Sequence, residues 1–180
     1  MDKPPESAPA PTPEVPEAPE IRRILVPTDF SACAEVALDY ALRLAQPLHA
    51  SVELCHVGPQ PDYAVAQLVS PGMRIAALGL VDQLRVLFEA ARKEMDDLLQ
   101  RKAVGGVALT SSFIEGFPDE GIVMRARQTR ADLIVIGSHG RRGLSRVLLG
   151  SITERVLRLA PCPVLVVHNP AEEGTGSHSG

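Results

Sequence analysis

The chain has no tryptophan, and aromatic residues make up 3% of its 180 positions. A core must therefore be built from Val, Ile, Leu and Ala, which suits parallel strands covered on both faces, since such strands read as continuous aliphatic runs. Cysteine is scarce too: Cys33, Cys55 and Cys162 are widely spaced and odd in number. That argues against the disulfide framework of a small secreted chain, and without C-x2-C or H-x3-H spacing no zinc site is expected. No Gly-Lys dipeptide occurs anywhere, which removes the P-loop. The G-x-G-x-x-G fingerprint is missing as well, because the segment after the first aliphatic run reads "PTDFSACA". Uncharged aliphatic runs such as "IAALGLV" fall far short of a bilayer. No charged, then apolar, leader opens the chain. The expectation is a cytoplasmic protein with no membrane partner, and 180 residues suffice for one well-packed domain.

Net charge is small, and its distribution matters more than its value. The first twenty residues, "MDKPPESAPAPTPEVPEAPE", carry five acids and one base, which accounts for the whole formal charge of −4. The rest balances, so nucleic-acid binding through bulk charge is not expected. One local excess stands out: between Arg141 and Arg158 there are five arginines and a single acid, Glu154. The same first twenty residues hold seven of the sixteen prolines. Such a segment cannot bury enough apolar surface to offset its ordering entropy, so 1–20 is expected to be a disordered or polyproline-like tail. A second disordered tail is expected over 170–180, leaving 21–169 as the folded domain.

Within that domain the pattern alternates. "RRILVP", "ASVELCHV", "VALTSSFIEG", "ADLIVIG" and "PVLVVH" read as five strands, the fourth aliphatic enough to be central. Between them lie helical stretches. In the first, Val36, Ala37, Tyr40, Ala41 and Leu44 fall on one stripe, with Asp29 and Ser31 offering capping oxygens before it. A proline-free stretch over about 73–103 places Leu80, Leu84, Leu87, Phe88, Ala91, Met95, Leu98 and Leu99 at helical spacing. "PDEGIVMRARQTR" begins a third helix and "GSITERVLRLA" a fourth, ended by Pro161. Five alternating strands predict an α/β fold with an open five-stranded parallel sheet and helices on both faces. The orders 2-1-3-4-5 and 3-2-1-4-5 both fit.

The segment 137–151, "GSHGRRGLSRVLLGS", follows the fourth strand and leads into a helix. Open α/β sheets collect ligands at the carboxyl ends of their strands, and a helix start offers unpaired N–H groups and partial positive charge. Glycines at 137, 140, 143 and 150 let main chain approach an anion and accept positive φ. The chemistry favoured is phosphate binding through backbone amides, with Ser138, His139 and Arg141 in the same loop. Asp29 and Ser151 could serve as helix caps instead. His56 and His168 read as hydrogen-bonded core or edge residues, and Cys33 as inert packing.

"ILVPTDFS", "LCHV", "EGFP" and Gly137-x2-Gly140-x9-Gly150-Ser151 followed by "PCPVLVVH" together resemble the universal stress protein family over residues 22–168. The resemblance implies the sheet order 3-2-1-4-5, a Rossmann-like fold of the adenine nucleotide alpha hydrolase type, and ATP as ligand. It implies that Pro27, Thr28 and Asp29 lie beside the adenosine and that Val57 offers main-chain bonds to adenine. Gly116 and Phe117 would line the opposite wall. Gly137 and Gly140 would approach ribose and phosphates, and Gly150, Ser151 and Ile152 would hold phosphates. Asp29 is the nearest carboxylate for a nucleotide-bound Mg²⁺; no other metal is expected. It also implies a homodimer through strand 163–168, which agrees with that run's uncharged, edge-like character. Three functions stay open: a nucleotide-dependent regulator or scaffold in stress response, a slow ATPase or nucleotidyl-transfer enzyme, and a nucleotide-free dimeric interaction module.

Overall fold

The computed structural model describes residues 20–58, 74–103, 106–140 and 149–169, with side chains of the long helix described at position 83 and from 85 onward. The expected tails apart from Glu20, Arg141 and the rest of segment 141–148 lie outside the described residues, as do the side chains of Leu80 and Leu84.

β1 (Arg23–Pro27), β2 (Ser51–Gly58), β3 (Leu109–Glu115), β4 (Leu133–Gly137) and β5 (Val164–Val167) form one parallel sheet in the order β3-β2-β1-β4-β5. The helices between them are α1 (Ala32–Leu48), α2 (Arg74–Lys102), α3 (Pro118–Thr129) and α4 (Ser151–Leu159). α1 and α2 cover one face, where Ala37, Leu38, Ala41 and Met95 meet Val26, Leu54 and Val135. α3 and α4 cover the other, where Ile122, Ala126 and Val156 meet Leu25, Val57 and Ile134. Every residue of β4 is buried, as its aliphatic run predicted.

Two helical stripes differ from expectation. α1 buries Cys33, Ala34, Ala37, Leu38, Ala41 and Ala45, whereas Tyr40 is 51% exposed. Small alanines let the helix sit close to the sheet, and turning it there keeps the phenol in water. On α2, Met95 and Leu98 are buried but Leu87 is 65% exposed. The helix is anchored near its end, where Lys102 Nζ lies 2.6 Å from Asp39 Oδ1 and 3.1 Å from Glu35 Oε1 on α1.

The two edge strands are unlike. β3 presents exposed Thr110 and Ser111 beside Ser112, while β5 carries half-buried Val164, Leu165 and Val166.

Candidate functional site

β1 has β2 on one side and β4 on the other, so the order of connection reverses between β1 and β4. The site residues expected on Pro27–Asp29 and on Gly137–Gly140 thus stand at adjoining carboxyl ends. The ladder between β1 and β2 ends at Pro27 opposite Cys55, with Thr28 N–H donating to the Cys55 carbonyl at 2.8 Å. Cys55 itself is buried, and that burial pushes its thiol up to about 12; Glu53 adds to the rise, while Ser112 and Arg125 oppose it.

Beyond Thr28 the chain turns sharply. Phe30 has φ 61°, its N–H donates to Thr28 Oγ1 at 3.0 Å, and Ser31 N–H donates to Asp29 Oδ1 at 3.1 Å. Ser31, not Asp29, caps α1: its Oγ accepts from Ala34 N–H at 3.2 Å. Asp29 is therefore held by the turn with its other oxygen aimed at β4's extension. A Cβ on Gly140 would lie 2.5 Å from Asp29 Oδ2, so the two predicted motifs touch.

The glycines here supply room and not unusual dihedrals. Among the described glycines only Gly106 and Gly116 have positive φ, which corrects the expectation for Gly137, Gly140 and Gly150. At Gly137 a Cβ would meet Cys33 Sγ at 3.0 Å and the Cys33 carbonyl carbon at 3.2 Å, so the absence of a side chain lets α1 close on the end of β4. Gly150 is the N-cap of α4, at φ −60° and ψ 141°, and Ser151 is the first helical residue, so Ser151 is not the cap. The helix start is fastened to β4 twice. Gly150 N–H donates to the Ser138 carbonyl at 2.9 Å, and buried Thr153 donates from Oγ1 to the Gly137 carbonyl at 2.9 Å. The first intrahelical bond is Glu154 N–H to Gly150 O at 2.9 Å. The amides of Ser151, Ile152 and Thr153 precede it, which is where a helix end receives an anion.

On the β2 side, Ser51 N–H reaches the Arg22 carbonyl and the Cys55 carbonyl receives Thr28 N–H, so odd-numbered residues of β2 turn their peptide groups toward β1. Val57 continues that alternation, and its N–H and C=O face the space just past the end of β1. Gly116 has φ 140° and donates its N–H to the Gly58 carbonyl at 3.0 Å. Phe117, 73% exposed, is the N-cap of α3. Gly121 in α3 lies so close to β2 that a Cβ would meet Val57 Cγ1 at 2.6 Å.

Ser138 is buried, with Oγ 2.9 Å from His139 Nδ1 and 3.7 Å from Cys33 Sγ. The His139 and His168 ring centroids are 6.5 Å apart. Of the arginines in the basic segment, Arg155 pairs with Asp119 on α3 at 2.7 Å, off the line of its N–H, and Arg158 stands 3.9 Å from Glu154. A concavity of about 440 Å³ opens at the opposite, amino end of the strands, lined by Arg22, Gln46, His49 and Ser51, and it contains none of the predicted site residues. No described helix is long and apolar enough to cross a membrane. Sequence reasoning passed over Thr153, whereas His56, expected to be a hydrogen-bonded core or edge residue, is hydrogen-bonded, with its Nδ1 2.8 Å from the Thr28 carbonyl.

The arrangement is that of the open, parallel α/β folds, in which ligands collect at the carboxyl ends of the strands where the order of connection reverses. The chain belongs to the universal stress protein family, which matches residues 20–168. Universal stress protein MJ0531 of Methanocaldococcus jannaschii is 35% identical over 155 residues, covering 84% of this chain and 85% of the relative. The solved universal stress protein UspA from Lactobacillus plantarum superposes with a TM-score of 0.67 at 28% identity, covering 83% of this chain and 99% of that one. A universal stress protein solved in complex with cAMP shares the fold, with a TM-score of 0.53 at 24% identity, covering 83% of this chain and 98% of that one.

Proposed function

We propose that this protein binds an adenine nucleotide, ATP, at the carboxyl ends of β1, β2 and β4, and acts as a nucleotide-dependent regulator or scaffold in stress response. One observation carries the reading: Asp29, in the turn after β1, abuts Gly140 while the first amides of α4 are fastened over the end of β4. In this reading Val57 offers a peptide N–H and C=O to the base. Pro27, Thr28 and Asp29 flank the ribose, and Gly116 and Phe117 close the far side. Gly137, Ser138, His139, Gly140, Arg141, Gly150, Ser151 and Ile152 surround the phosphates. Asp29 is the carboxylate near which a nucleotide-borne Mg²⁺ would stand. A universal stress protein of the same fold has been solved in complex with cAMP, which is itself an adenine nucleotide.

The reading extends to a folded domain over 21–169 with tails at 1–20 and 170–180, and to a homodimer through 163–168. The aliphatic edge of β5 supports that pairing, as do exposed Ile152, Leu157 and Leu159 on neighbouring α4. Cys33, Cys55 and Cys162 are all free thiols, which suits the reducing cytoplasm. Titration of the purified protein with ATP, ADP and AMP tests the reading, together with mass spectrometry of protein denatured straight after purification. Bound or saturable ATP is the expected result; no binding with millimolar Mg²⁺-ATP would reject it. Phosphate release above background under the same conditions would move the assignment to a slow ATPase.

A further inference from the structure

We infer that His56 is a positioning residue for the nucleotide site: it holds the Thr28–Phe30 turn, and Asp29 with it, against the end of β2. The inference rests on the nucleotide reading above for its functional consequence, but the geometry stands apart from it. A carbonyl only accepts, so the 2.8 Å contact between His56 Nδ1 and the Thr28 carbonyl requires the hydrogen on Nδ1. That carbonyl is the acceptor a continuing parallel ladder would offer to the N–H of Val57. The imidazole meets it instead, so the same contact ends the ladder and leaves Val57's peptide group facing the site.

The turn needs such support. Phe30, a bulky residue, sits at φ 61°, a region that side-chain-bearing residues seldom enter and that persists only where the surroundings enforce it. Its ring lies 4.7 Å from the His56 ring, tilted by 33°. On its other side His56 meets Phe113 edge-on at 5.6 Å, and Phe113 meets Phe88 of α2 at 5.5 Å. The Arg92 guanidinium covers both of those rings, at 5.1 and 5.3 Å. Three of the chain's four phenylalanines thus stand in one ladder running from α2 to the turn. His56 is its only member that also bonds the turn's main chain among the contacts described.

Two substitutions separate the bond from the ring. His56→Phe keeps an aromatic ring and loses the donor; His56→Asn loses the ring and places an N–H near the same point. We expect His56→Phe to weaken ATP binding about tenfold, the equilibrium worth of one hydrogen bond, and His56→Asn to stay within about threefold of the parent. In nucleotide-free full-length protein, amide hydrogen exchange at Phe30 and Ser31 should accelerate in His56→Phe and recover in His56→Asn. Both variants binding ATP like the parent would overturn the inference while leaving the nucleotide reading intact. If the parent binds no ATP, the nucleotide reading fails, and unchanged exchange at Phe30 and Ser31 then overturns the positioning role as well. Should His56→Phe fail to fold, His56→Leu decides: it removes the donor with a smaller side chain, so weaker ATP binding and faster exchange at Phe30 and Ser31 support the inference, and parental values for both overturn it.

Discussion

A single methyl group at Gly140 would reach 2.5 Å from Asp29 Oδ2, and that carboxylate cannot swing aside freely because its other oxygen holds Ser31 N–H. Gly140 is exposed, so Gly140→Ala should change unfolding free energy by less than about 0.5 kcal/mol, yet displace Asp29 and weaken ATP binding; urea denaturation and calorimetric titration read the two effects separately. Gly121→Ala is the contrasting case. Its Cβ would enter a buried space 2.6 Å from Val57 Cγ1, and overpacking of that kind costs about 1–3 kcal/mol, visible as a lower urea midpoint. Cys55 supplies a pH signature. Its folded pKa of about 12 lies above its ordinary value of 9.0, so its contribution to stability is whole below pH 9 and is lost as pH rises toward 12. Cys55→Ala should flatten the fall in stability over that interval, measured by denaturation at stepped pH. None of these magnitudes was legible in residue types alone. Gly140 and Gly121 look alike in the sequence, and only the neighbours of an absent Cβ distinguish them.

Among the elements, α4 shows what was legible and what was not. Its start after Gly150-Ser151 could be read from spacing, because small residues before an amphipathic run mark a helix beginning. Its fastening could not, because Thr153 bonds the carbonyl of Gly137, on the far side of the loop. Thr153→Val should cost about 1–3 kcal/mol, the price of stranding a buried carbonyl, and Thr153→Ser should restore most of it; thermal unfolding monitored by circular dichroism compares them. α1 illustrates a different loss of information. Its alanines make two neighbouring stripes nearly equal in apolar content, so periodicity alone assigned Tyr40 to the buried one. Helix ends were obscure too: His49 and Arg130 close α1 and α3 at φ 52° and 51°, where a glycine would have announced the stop.

For the molecule as a whole, alternation of strand and helix gave a parallel sheet but not the order of its strands, since a crossover to either side has the same local sequence. The resemblance of the strand-end motifs to the universal stress protein family supplied that order, and the observed β3-β2-β1-β4-β5 arrangement agrees. Quaternary structure is the prediction at this scale. Sedimentation should give a dimer, and Leu165→Arg on β5 should yield a monomer with an unchanged far-ultraviolet spectrum; a dimer that survives this change would remove β5 as the contact.

The unlike margins of the sheet limit how far association can go. Growth into a ribbon needs every copy to join one margin to the opposite margin of the next, and here that would set aliphatic Val164–Val166 against hydroxyl-bearing Thr110–Ser112. Aliphatic meets aliphatic only when two β5 margins face each other across a twofold axis, and such a union would consume both. Assembly by this route would be self-terminating: crowding more copies together should raise the number of pairs without lengthening them.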